Sequence, residues 1–152
     1  MKSIGVIGNG FVGSAIIEGF KHYTDTKVYD KDPNRSVNPL HEVLNQDFVF
    51  VCVPTPMLKH ENGKCDLRII ENVFNEISES KSKSIFVIKS TVPIGTTSKL
   101  QLDFPQFTIL HSPEFLTART ANIDFITPSR TIVGYPKEFY SNLHYAPSET
   151  LK

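Results

Sequence analysis

Near the start of the chain stands Ser3-Ile4-Gly5-Val6-Ile7-Gly8-Asn9-Gly10-Phe11-Val12-Gly13, and its reading decides the fold. Ser3 to Ile7 is a short, mostly apolar run of strand length. It leads at once into Gly8-Asn9-Gly10-Phe11-Val12-Gly13, a G-x-G-x-x-G string. Beyond it Phe11, Ala15, Ile16 and Phe20 recur near helical spacing. A lone glycine string says little, because glycines are common. Strand, glycine turn and helix in succession are the context in which such a string binds a dinucleotide. A second strand, Lys27-Val28-Tyr29, ends at Asp30, 17 residues past Gly13, and completes the pattern.

Each residue has a physical reason. Gly8 permits the tight turn out of the strand, Gly10 has no Cβ to hold a pyrophosphate away, and Gly13 lets the helix pack close to the sheet. Phe11 and Val12 open that helix, whose N-terminus offers unpaired amides and a partial positive charge. Asp30 is placed to accept hydrogen bonds from the adenosine ribose hydroxyls, and its carboxylate repels a 2′-phosphate, so the expected cofactor is NAD rather than NADP. Lys31 falls beside the same site, and Lys31 and Arg35 are cations that could serve a 2′-phosphate. The plainer alternative is that the glycines are ordinary turn residues and Asp30 merely ends a strand.

Working outward, short apolar runs alternate with helical patterns. Phe48 to Val53 is apolar on consecutive positions, as in a strand covered on both faces. Leu67, Ile70, Val73, Phe74 and Ile77 give a helix with Asp66 as its N-cap. Ile85 to Ile88 is a further strand, Ile94 to Leu102 a short helix, Phe107 to Leu110 a fifth strand and Thr131 to Val133 a sixth. This alternation predicts an α/β fold: a doubly wound, mostly parallel Rossmann-type sheet of about six strands. The domain is expected over 1–134, with 135–152 as a C-terminal extension. Residues 31–39 and 58–64 read as loops.

Composition sets limits. With 152 residues, 39% hydrophobic and 21% charged, the chain is long enough and apolar enough for one folded domain. Lys plus Arg equals Asp plus Glu at 16 each, so no net charge draws it to nucleic acid or an anionic membrane. A bound anion must be held by local geometry. Cys52 lies in an apolar run and reads as a small buried hydrophobe; Cys65 lies in a polar loop. Neither suggests a disulfide framework or a metal site, and none of the five histidines stands out as a functional residue. No run approaches the roughly 20 apolar residues of a bilayer span, so the expected location is the cytoplasm.

Four further stretches now matter together: Val53-Pro54-Thr55-Pro56, Ser90-Thr91-Val92-Pro93-Ile94-Gly95-Thr96-Thr97, Ser112-Pro113-Glu114-Phe115-Leu116, and Pro128-Ser129-Arg130-Thr131-Ile132-Val133-Gly134. In this order and spacing the chain, over residues 1–134, resembles the UDP-glucose/GDP-mannose dehydrogenase family. Members of that family oxidise the C6 alcohol of a nucleotide sugar to a carboxylate with two NAD per turnover. The resemblance implies that Val53, Pro54 and Thr55 line the NAD site, that Thr91 sits beside the nicotinamide, and that Glu114 does acid–base work. It also implies that Phe115 and Leu116 touch the UDP- or GDP-linked sugar, largely through their backbone. The residue pattern agrees, since Thr55, Thr91 and Glu114 each follow an apolar strand and ligands of open α/β sheets bind beyond the carboxyl ends of strands. Glu114 equally fits the first turn of a helix, with Ser112 as cap and Pro113 at the first position. Thr91 equally fits a turn hydroxyl before Pro93.

The chain departs from the family in two ways. Ala118 and Arg119 stand where many members carry a second glutamate and a glycine. The family's nucleophilic cysteine belongs to a second domain, and Cys52 and Cys65 do not replace it. Because the second oxidation in this family passes through a thioester, the chain is not expected to complete the reaction alone. Three roles follow: the NAD half of a 6-dehydrogenase completed by a separate chain or belonging to a longer gene; a module that binds NAD or nucleotide sugar without turnover; or a regulatory partner of a full-length homologue.

Overall fold

The computed structural model describes residues 2–59, 63–117, 119–128 and 130–135. His60, Ala118, His144 and nearly all of the expected extension lie outside the described residues. The chain alternates strand and helix: β1 (Ile4–Ile7), α1 (Phe11–Phe20), β2 (Thr26–Tyr29), α2 (Leu40–Val43), β3 (Phe48–Val51), α3 (Arg68–Ile77), β4 (Ile85–Ile88), α4 (Thr96–Asp103), β5 (Thr108–His111) and α5 (Ala121–Ile126).

The strands form one sheet in the order β2-β1-β3-β4-β5, every neighbouring pair parallel. The chain winds from β1 outward to β2, then returns past β1 to β3, β4 and β5. The direction of winding therefore reverses between β1 and β3, which opens a crevice beyond their C-terminal ends.

Both faces are covered, which is why the strands are apolar at consecutive positions. On one face Ile7, Val49, Val51, Phe86, Ile88 and Ile109 pack with residues of α2, α3 and α4, among them Val43, Ile70, Phe74 and Leu100. Phe74 touches the rings of Phe86, Phe104 and Phe107. Each such side chain, fully withdrawn from water, contributes roughly 1.5–3 kcal/mol. On the other face Ile4 and Val6 pack with Ile16 of α1, joined by Phe20, Phe50, Cys52 and Phe125 of α5.

Some expectations are corrected. Thr131–Val133 is not a strand; Ile132 and Val133 are 46% and 51% exposed, and no described residue covers both of their faces. Only Gly134 reaches the sheet, in an isolated antiparallel bridge to His111. No helix begins at Ser112. Its hydroxyl accepts a hydrogen bond from the Lys89 ammonium at 3.2 Å rather than capping, and the next helix starts at Ala121. Asp66 acts one residue earlier than expected: Leu67 is the N-cap of α3, and Asp66 Oδ1 accepts the Arg68 N–H at 3.0 Å.

Candidate functional site

The crevice at the switch point is built by the turn after β1. Gly8 has φ of 97°, a left-handed conformation that residues bearing a Cβ rarely adopt. Its N–H donates to the Tyr29 carbonyl at 2.9 Å, tying the turn to the end of β2. Gly13 presses α1 against this turn: a Cβ there would lie 2.0 Å from the Gly8 carbonyl oxygen. Gly10 differs, because a Cβ there would meet nothing within 4 Å. The open space in front of Gly10 adjoins the start of α1. No side chain caps that helix end, and its first turn holds no acidic residue. Unengaged amides facing an open cradle are what a pyrophosphate requires, so these residues fit one.

Phe11, the first residue of α1, is 51% exposed, and Val12 packs partly into the core on the α1 side. Asp30, directly after β2, accepts the Asn9 N–H at 2.6 Å on Oδ2 and the Asp32 N–H at 2.8 Å on Oδ1. Asn9 in turn holds the Arg35 carbonyl through its Nδ2 and the Ser14 hydroxyl through its Oδ1. Glycine turn and acidic residue thus form one hydrogen-bonded unit. Lys31 is exposed beside it.

Val53, Pro54 and Thr55 leave the end of β3, next to this turn. The Thr55 hydroxyl donates to the Thr91 carbonyl at 2.7 Å, and the Ser90 hydroxyl donates to the Val53 carbonyl at 2.6 Å. These two bonds lace the loops after β3 and β4 together. Thr91 itself is exposed. His111 closes the row: its Nε2 lies 3.3 Å from the Ser90 carbonyl, and burial pushes its pKa down.

Glu114, Phe115 and Leu116 sit elsewhere. They line a cavity of about 680 Å³ on the α1–α5 face, whose wall also includes Phe50, Lys89 and Arg130. None of the predicted NAD residues lines it. Glu114 Oε2 accepts the Leu116 N–H at 2.5 Å, turning the loop back on itself. The Arg130 guanidinium lies 4.9 Å from the centre of the exposed Phe115 ring.

Lys89 escaped the reading of the sequence. It follows the apolar run Ile85–Ile88 and looks like a strand end reaching water, yet it is only 8% exposed. Burial lowers its pKa, with Cys52 and Glu114 acting in the opposite sense. Its neighbour Cys52 is pushed up to about 12 by burial, so the thiol stays protonated. Cys65 Sγ lies 3.7 Å from the Thr55 carbonyl. Among the described residues no group of three His, Cys, Asp or Glu side chains is placed to hold a metal ion, and no helix is long and apolar enough to cross a membrane.

Comparison with known proteins bears on this arrangement. A model of the UDP-glucose/GDP-mannose dehydrogenase family, NAD binding domain, matches residues 34–145. Over 125 residues the chain is 35% identical to UDP-glucose 6-dehydrogenase of Campylobacter jejuni, a span covering 78% of this chain and 32% of that enzyme. A GDP-mannose dehydrogenase from Pseudomonas aeruginosa, solved as a ternary complex, matches with a TM-score of 0.72 and 25% identity, over 94% of this chain and 43% of the other. A UDP-glucose dehydrogenase from Pyrobaculum islandicum matches with a TM-score of 0.75 and 25% identity, over 93% of this chain and 42% of the other. The chain therefore spans between 32% and 43% of the length of these three relatives.

Proposed function

This chain belongs to the UDP-glucose/GDP-mannose dehydrogenase family, and we propose that it binds NAD as the cofactor-binding half of a nucleotide-sugar 6-dehydrogenase. One observation carries the reading: the open cradle at Gly10, facing the uncapped start of α1, with the Asp30 carboxylate tied to the same turn. The glycine turn precedes the stretch matched by the family model, so it supports the reading independently.

In this reading the amides of Gly10 to Gly13 take the pyrophosphate, and Asp30 orients the adenosine ribose with Lys31 at its rim. Val53, Pro54 and Thr55 form the wall of the crevice. Thr91, fixed through its carbonyl by Thr55, stands at the nicotinamide end. NAD, when bound, supplies the hydride acceptor. Oxidation of –CH2OH to –COO⁻ consumes one water and two NAD⁺ and releases two NADH and three protons.

Glu114 faces the sugar side. Its Oε2 is engaged by Leu116, and its other oxygen has no partner among the described residues, so that oxygen is available to hold or move a proton. Phe115 and Leu116 present backbone and ring to the nucleotide sugar. Neither cysteine suits the second oxidation: Cys52 is held protonated, and Cys65 points its thiol at the Thr55 carbonyl. A thiolate from another part of the polypeptide, or from a separate chain, completes the site.

Heat unfolding with and without NAD tests the reading. At 100 times Kd, a ligand bound only to the folded state adds about 2.7 kcal/mol, so the midpoint rises by several degrees. An unchanged midpoint at millimolar NAD contradicts it. With UDP-glucose or GDP-mannose and NAD, purified residues 1–152 form no NADH; steady NADH formation shows that a thiol other than Cys52 and Cys65 is dispensable.

A further inference from the structure

Lys89 carries an inference beyond cofactor binding. Phe50, Val87 and Leu110 lie side by side in the register of β3, β4 and β5. Two residues beyond these, just past the end of each strand, come Cys52, Lys89 and Ser112, and the ladder continues to them: Lys89 N–H donates to the Val51 carbonyl and Ser112 N–H to the Ile88 carbonyl, each at 2.9 Å. The period of two puts all three side chains on the face shared by α1 and α5. Lys89 is thereby drawn inside the molecule at the floor of the cavity lined by Glu114, Phe115 and Leu116.

An ammonium has three N–H donors. Among the described residues one of them is engaged, by Ser112 Oγ at 3.2 Å. No carboxylate among them lies at ion-pair distance. Glu114 is near enough to act on the charge, but its carboxylate stands beyond ion-pair distance, with Oε2 on the Leu116 amide and the other oxygen without a partner among the described residues. Asp124, also on the cavity wall, is engaged by the Thr117 N–H and the Thr120 hydroxyl. A buried cation without a contacting counter-ion is costly and recurs where a ligand supplies the missing charge. Arg130, on the same wall, adds a second cation.

We propose that Lys89 is a ligand-binding residue of this cavity, and that its unengaged N–H groups receive an anionic oxygen of the bound sugar, namely the C6 carboxylate of a nucleotide-linked uronic acid. The inference rests on reading Glu114–Leu116 as the sugar side. A carboxylate matches the site better than an alcohol: both can accept a hydrogen bond from the ammonium, but only the carboxylate supplies the missing charge and makes the bond ionic at both ends. The oxidised sugar is then held more tightly than the sugar entering the reaction, and Lys89 makes the site sensitive to its own product.

Calorimetric titration of the full chain with UDP-glucose and UDP-glucuronic acid, repeated with GDP-mannose and GDP-mannuronic acid, tests this. The acid of at least one pair binds about tenfold more tightly than its alcohol, the scale of one charge-assisted hydrogen bond. Lys89→Met abolishes that preference while leaving the affinity of the alcohol nearly unchanged, and Lys89→Arg retains part of it. Equal binding of acid and alcohol by the wild type, or a preference that survives Lys89→Met, overturns the inference while leaving the sugar-side reading intact. Absence of binding by all four compounds at millimolar concentration removes that reading and this inference with it. Without ligand, Lys89→Met raises the unfolding midpoint, because an uncompensated charge is replaced by an apolar side chain of similar length. A fall shows Lys89 to be a structural partner of Ser112 and also overturns the inference.

Discussion

The Asp30 carboxylate accepts the Asn9 N–H at 2.6 Å, joining the end of β2 to the middle of the glycine turn after β1. The same carboxylate accepts the Asp32 N–H through its other oxygen. Asp30 therefore shapes the turn, and in the proposed function it also presents negative charge to a ribose. Both effects act on the same ligand. Asp30→Arg loses the tie and the acceptor together, and the Kd for NAD rises about tenfold or more, read by calorimetry. An unchanged Kd contradicts the role given to this residue.

The second and third glycines of the turn separate binding from folding. A Cβ at Gly10 meets nothing within 4 Å, so Gly10→Val leaves the fold intact but places two methyls in the phosphate cradle. NAD affinity is lost with little change in unfolding midpoint. A Cβ at Gly13 lies 2.0 Å from the Gly8 carbonyl, so Gly13→Ala forces the backbone apart and costs about 1–3 kcal/mol. Denaturant unfolding checks the contrast. If Gly10→Val proves the more destabilising of the two, the space in front of Gly10 is not open.

Thr55→Val cuts the hydroxyl bond to the Thr91 carbonyl and leaves the side-chain volume nearly unchanged. The loop after β4 loosens at the end where the proposed function puts the nicotinamide. NAD affinity falls by several-fold, on the scale of about 1 kcal/mol for one hydrogen bond, and ADP-ribose, which lacks nicotinamide, is affected less. Equal losses for both ligands place the effect elsewhere.

Two carboxylates outside the site set the acid stability. The Ser3 amide, with Lys2 and the Ser3 hydroxyl, holds Asp47 at about 2, and the Arg68 guanidinium and amide hold Asp66 at about 2. Both values lie below the roughly 3.9 of an unfolded aspartate. Between about pH 4 and pH 2 the unfolded chain binds more protons than the folded one, so stability is present above that window and lost as pH falls through it. A double Asp47→Asn, Asp66→Asn variant loses less of its urea midpoint across the window than the wild type. Parallel losses in the two proteins contradict this assignment.

How much of this was legible in the sequence follows from where the determinants lie. The longer helices were readable because their apolar residues recur at helical spacing, as in Leu67–Ile77, and the strands because they are short runs apolar at consecutive positions, as in Phe48–Val51 and Ile85–Ile88. The glycine turn was readable because steric need fixes Gly8 and Gly13 and the spacing between them. Short α2 and α5 were not, since four and six residues show little periodicity and no side chain caps either one. Thr131–Val133 has the composition of a strand, but pairing depends on covering faces that a local reading does not see. Ser112, Pro113 and Glu114 have the composition of a helix start, yet Ser112 is engaged by a lysine 23 positions earlier. Lys89 itself was hidden for the same reason: its burial comes from strand register, a relation between distant segments. The sequence likewise places Asp30 near the turn, but only the fold reveals that both of its oxygens grip backbone amides.

The most direct test of the central claim is a crystal structure of this chain with NAD. The pyrophosphate is expected within about 3 Å of amides in the Gly10–Gly13 turn, with the adenosine ribose hydroxyls on Asp30. NAD density away from this turn, or a ribose turned away from Asp30 while the turn keeps its shape, contradicts the claim.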